Sequence, residues 1–87
     1  MIKEIKLGEL PLGKTAVVKA IKSDSLLMKR IINLGVAKGV EITPLFRAPF
    51  GDPTAYSVKG CVVALRKSDC EDIIVMISEA EDNNGAF

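Results

Sequence analysis

With 87 residues the chain has room for one domain, and a domain of that size buries only about 60% of the surface its unfolded chain exposes, so voids and unpaired buried charge are poorly tolerated. A composition of 48% hydrophobic and 26% charged residues is that of a folded globular chain, and no apolar run approaches the roughly 20 residues of a membrane-spanning helix. Twelve basic residues against 11 acidic ones give a net charge of +1, which excludes the strongly basic stripe of a typical nucleic-acid binder.

The acids are unevenly placed. Glu79, Glu81 and Asp82 follow the last basic residue, Lys67, and the residues before them carry 12 basic against 8 acidic groups, a balance of +4. Met1-Ile2-Lys3-Glu4-Ile5-Lys6 alternates charged and apolar residues and lacks the apolar core of a signal peptide. Two cysteines, Cys61 and Cys70, are too few for a secreted disulfide scaffold, and reduced thiols are the expectation. A soluble cytoplasmic domain is therefore expected.

Residues 7–13 form a turn-rich lead-in whose leucines, Leu7, Leu10 and Leu12, can fold against a core. Residues 14–21, rich in Val and Ala, read as a strand. Ser23, Asp24 and Ser25 each offer an N-cap, because their side chains can accept from the free N–H groups of a first helical turn. A helix to Leu34 follows, with Leu27, Met28, Ile31, Ile32 and Leu34 on one apolar arc and Lys29, Arg30 and Asn33 opposite. Leu26 falls among the polar residues. Gly35 stands where a left-handed glycine ends a helix, with Val36 free to pack back on Ile31.

Residues 40–47 read as a strand interrupted by Pro44, which cannot donate to a ladder and so demands an edge or a bulge. Residues 48–53 hold two prolines and a glycine, which forbid regular structure. Short strands are expected over 54–59 and 62–66 with a tight turn at Gly60-Cys61. A single helical turn over 68–71 then leads to a continuous apolar strand over 73–77, expected to lie centrally. The organisation is a domain over 1–78 and a polar, disordered acidic tail over 79–87. Short antiparallel strands with one helix after the first of them point to a mainly β fold, a small barrel of about five strands that closes to hide its edges.

Catalytic and cofactor chemistry has little to work with. The absence of histidine removes the commonest general base and metal ligand. Cys61 and Cys70 lack a second pair for a zinc site, and the seven glycines form neither a Walker loop nor G-x-G-x-x-G. Asp69, Glu71 and Asp72 are read as a solvated turn rather than a cation site, and Cys70 as a small buried hydrophobe. No enzyme activity, cofactor or metal is expected.

The candidate contact residues are Leu26, Lys29 and Arg30 on the helix, and Arg47, Phe50 and Asp52 in the loop. Phe46 and Phe50 either cap an open end of the barrel or present an interface; aromatics and Arg are enriched at interface centres, and a proline-stiffened loop loses less entropy on binding.

The order Leu7-x-x-Leu10-x-x-Gly13, Val18-x-x-Ile21, Arg30-x-x-x-Leu34-Gly35-Val36-x-x-Gly39, Pro49-x-Gly51-Asp52-Pro53, Val58-x-Gly60, Ala64-Leu65-Arg66 and Ile73-x-Val75 resembles the FeoA family over residues 5–77. That resemblance implies an SH3-like barrel and a cytoplasmic accessory role in ferrous iron uptake. It also implies contact with FeoB, a GTPase-linked membrane transporter, with no membrane insertion of its own. The pattern is similar as well to the C-terminal SH3-like domain of metal-dependent repressors. It departs in Arg30-Ile31, where Arg-Leu is usual, and in Cys70, where a small apolar residue is usual. A free-standing barrel that binds a divalent metal or nucleic acid is the alternative, and the oligomeric state stays open.

Overall fold

A computed structural model describes residues 2–22 and 26–78, with the side chains of Leu26, Leu27 and Met28 outside the description. The expected caps at 23–25, the surface role assigned to Leu26 and the expected disorder of the tail therefore fall outside the described residues. Six strands form one antiparallel sheet: β1 (Ile2–Lys6), β2 (Ala16–Ile21), β3 (Glu41–Arg47), β4 (Thr54–Val58), β5 (Cys61–Leu65) and β6 (Ile73–Ser78). Two helices, α1 (Leu26–Asn33) and α2 (Lys67–Cys70), and a 3₁₀ turn (Leu7–Glu9) complete the described elements. The strand order is β1-β6-β2-β3-β4-β5.

β1 is the strand to which the sequence reading assigned no element. It buries almost nothing, with Ile2 69% exposed, and is held by its ladder to β6 from Ile2↔Ser78 to Lys6↔Ile74. A Lys19–Glu4 ion pair ties it across the sheet to β2. β6 lies between β1 and β2, as its uninterrupted apolar run requires.

The core collects the inward-facing residues. Leu7, Val36, Ile42, Ile73 and Val75 have no exposed surface, and Leu10, Val18, Val58, Leu65 and Cys70 have almost none. Leu12, 44% exposed, is the lead-in leucine that stays outside.

The expected helical arc is narrower than its periodicity suggested. Ile31 is buried, whereas Ile32 and Leu34 are 43% and 57% exposed. A helix of eight residues makes barely two turns, so only a thin stripe of it can meet the sheet. Its end is as expected. The Gly35 amide donates to the Ile32 carbonyl at 3.0 Å and the Val36 amide to the Ile31 carbonyl at 3.3 Å, with Gly35 at φ 113°. This is the paired bonding of a Schellman cap.

Pro44 is accommodated by a bulge, since the β3–β4 register slips between Pro44 and Phe46. The β4–β5 turn lies one residue earlier than expected, at Lys59 (φ 50°) and Gly60 (φ 80°). Two left-handed central residues match the right-handed twist of the flanking strands, and Cys61 is released to begin β5.

A Cβ at Gly35 would meet Val58 Cγ1 at an ordinary 3.7 Å, so the cost of filling that position is conformational rather than steric. Gly35→Ala should lower unfolding stability by about 1–2 kcal/mol, measured by urea denaturation. Gly8→Ala, whose Cβ would lie 3.6 Å from Cys70 Cβ without a left-handed backbone, should be near neutral. Equal effects of the two substitutions would contradict the helix stop.

Candidate functional site

The segment after β3 is built to hold a turn rigid and its tip outward. Strand periodicity would place Ile42, Pro44 and Phe46 on one face, and the first two are buried. The bulge after Pro44 breaks that phase, so Leu45 and Phe46 are 41% and 59% exposed and Arg47 is exposed too. Ala48-Pro49-Phe50-Gly51 then closes as a turn, with the Gly51 amide donating to the Ala48 carbonyl at 2.7 Å. Proline at the second position presets its φ. Phe50 at the third is 99% exposed and so does not cap an end of the barrel.

Two further hydrogen bonds fix the base. The Ala48 amide donates to the Pro53 carbonyl at 2.9 Å. The Asp52–Pro53 peptide is cis. The Lys67 amide donates to Asp52 Oδ1 at 2.8 Å, so one carboxylate oxygen of Asp52 is committed to holding the loop against α2. Asp69 braces the start of α2 in a similar way, its Oδ2 accepting from the Arg66 amide at 3.2 Å.

Beneath the loop lies a cleft of about 210 Å³. Arg47, Thr54 and Lys67 line it, and Tyr56 and Cys70 contribute buried side chains. The Tyr56 hydroxyl and Cys70 Sγ are 3.3 Å apart, and either can donate. Burial pushes the Tyr56 phenol well above its usual range, aided by Cys70 and opposed by Thr54 and the Arg47 charge. Burial likewise raises the Cys70 thiol, against the Tyr56 hydrogen bond, with Asp69, Asp52 and Glu71 adding to the rise. Cys70 is thus an inert, protonated core residue, as expected, and Cys61 is exposed.

Arg47, Phe50 and Asp52 are brought together in one loop. Lys29 and Arg30 are exposed on α1 and share no ion pair with the loop among the described residues. Sequence reading missed Lys67 and Thr54, which join Arg47 at the cleft. Neither belongs to a local motif: Thr54 is set beside Arg47 by the β3–β4 ladder, and Lys67 arrives with α2. No cluster of three or more metal-ligating groups occurs among the described residues, and none of their helices is long and apolar enough to cross a membrane.

A six-stranded antiparallel sheet interrupted by two short helices, with a protruding loop over a small cleft, defines an SH3-like barrel domain. The sequence matches the FeoA domain family over residues 5–77, and the chain belongs to that family. The Fe(2+) transport protein A/Fe(2+) transporter FeoB fusion protein of Porphyromonas gingivalis is 34% identical over 71 residues, which are 82% of this chain and 8% of that protein. The FeoA-like protein of Clostridium acetobutylicum superposes with a TM-score of 0.76 at 36% identity, over 86% of this chain and 87% of that one. Stenotrophomonas maltophilia FeoA, solved with zinc and described as a prokaryotic SH3 domain protein, superposes at 0.72 with 31% identity, over 82% and 88%.

Two outcomes follow from the thiol environments. In the folded protein a thiol reagent should modify Cys61 rapidly and Cys70 only on unfolding, read by peptide mass spectrometry; equal rates would contradict the burial. The folded state also holds the Cys70 proton where the unfolded chain releases it, near the ordinary value of 9.0. The associated stability is complete below that pH and is lost as pH rises above it. Urea denaturation should therefore show the natural protein losing stability relative to Cys70→Ala between about pH 8 and 10. Parallel profiles would contradict the raised thiol.

Proposed function

We propose that this chain is a non-enzymatic accessory protein of ferrous iron uptake that acts in the cytoplasm by contact with an FeoB-type transporter. The observation that carries this reading is Phe50, 99% exposed at the tip of a turn whose base is fixed by hydrogen bonds to Pro53 and α2. A large apolar side chain held in water by a stiff loop gains by desolvation on docking and loses little conformational freedom. The Porphyromonas relative supports the choice of partner, because it carries transport protein A and FeoB in one polypeptide, an arrangement that raises the effective concentration of each part for the other.

Divalent metal binding is the second reading, and the zinc in the Stenotrophomonas relative is the observation in its favour. The carboxylates nearest Cys70 are engaged elsewhere in this chain. Asp69 accepts from the Arg66 amide, Asp52 from the Lys67 amide, and Glu71 pairs with Lys6 at 3.2 Å.

Immobilised chain should retain a detergent-solubilised FeoB-type transporter. Phe50→Ala and Arg47→Glu should each weaken retention by about fivefold or more, with circular dichroism unchanged. Leu26→Glu and Arg30→Glu test whether α1 shares the contact. Undiminished retention for all four would defeat this choice of surface.

A further inference from the structure

Resting on the reading of the loop as a contact surface, we propose that the cleft beneath it is a carboxylate pocket that receives an Asp or Glu side chain of the partner. Arg47 from the end of β3 and Lys67 from the start of α2 both line it, and no Asp or Glu does. Among the described residues neither cation has an ion-pair partner. The nearby acids stand outside its wall, Asp52 accepting from the Lys67 amide, Asp69 from the Arg66 amide and Glu71 pairing with Lys6, although their charges still reach Cys70. Two cations therefore line a concave site that has no carboxylate in its wall, and neither is spent on an ion pair among the described residues.

The remaining walls narrow the ligand. Leu10, Pro44 and Cys70 supply apolar surface, which suits the methylene stem of an acidic side chain and offers nothing to a bare phosphate. The Thr54 and Tyr56 hydroxyls line the same space as neutral hydrogen-bonding groups, and Tyr56 keeps its proton. A volume of about 210 Å³ is several times the ~30 Å³ share of one liquid water, enough for a carboxylate and its stem. Arg47 can grip such a group with two parallel N–H donors. Phe50, beside the rim residue Gly51, would shield the pair from water once a partner strand lies across it, which strengthens the attraction. The partner segment is thus an acidic residue flanked by apolar ones.

The test uses N-acetyl-glutamate N-methylamide as probe, followed by amide NMR on the full chain. Its neutral glutamine analogue, inorganic phosphate and chloride at matched ionic strength are the comparators. Saturable shifts confined to Gly51, Thr54, Lys67 and Cys70, absent with the glutamine analogue and weakened about tenfold in Arg47→Ala or Lys67→Ala, would support the pocket. Equal shifts from the glutamate and glutamine probes, or saturation by phosphate alone, would overturn it. The transporter assay separates the two readings. Loss of retention in Phe50→Ala with full retention in Lys67→Ala overturns the pocket and leaves the contact reading standing. A saturable carboxylate site in a chain that retains no transporter supports the pocket and defeats the contact reading.

Discussion

The fold depends on β6 lying between β1 and β2. Its Ile73 and Val75 have no exposed surface, and Val75 pairs with Ile5 on one side and Val18 on the other. The Lys22 amide donates to the Asp72 carbonyl at 2.8 Å where the strand begins. A late strand set between two early ones makes this half of the sheet depend on contacts distant in sequence, whereas β3, β4 and β5 pair with their chain neighbours. It also determines where α2 sits. Because α2 leads directly into β6, docking that strand fixes Cys70 beneath Tyr56 and brings the Lys67 amide to Asp52.

The loop inherits its rigidity from this arrangement. On one side it leaves a bulged strand that has turned Phe46 and Arg47 outward; on the other it is tethered to a helix that cannot move without β6. A chain of 87 residues has little core to spare, yet it leaves Phe46 and Phe50 in water. Neither fills a gap in the core cluster, so removing either side chain opens no cavity in the domain. Phe50 stands at a point where the backbone is already held, and contact with another molecule is the role proposed for it.

Much of this was legible in the sequence because punctuation residues carry local geometry. Gly35 and Val36 marked the helix end, Pro44 demanded its bulge, and the 73–77 run announced an interior strand. The features that stayed hidden are those decided by packing. β1 offers the core only the half-buried Ile5, so its hydrophobic signal was slight, and pairing with β6 completes it as a strand. Ile32 and Leu34 look like core in a helical projection, but a helix this short meets the sheet along one line. The Lys59-Gly60 turn was displaced by one position because Lys59 adopts the left-handed conformation that glycine was expected to occupy. Of the loop residues, Arg47, Phe50 and Asp52 were readable from composition and stiffness. Their companions Thr54 and Lys67 belong to no local motif and join Arg47 through the β3–β4 ladder and through α2.

The central claim is that a rigid barrel offers its 46–53 loop to a transporter. Hydrogen–deuterium exchange of the full chain, with and without an FeoB-type transporter in detergent, tests it most directly. The account predicts added protection at Arg47, Phe50 and Gly51 and over the adjoining start of α2, with exchange of the β6 amides the same with and without the transporter. Protection gained elsewhere with the loop unchanged, or a transporter that alters no amide at saturating concentration, would contradict it.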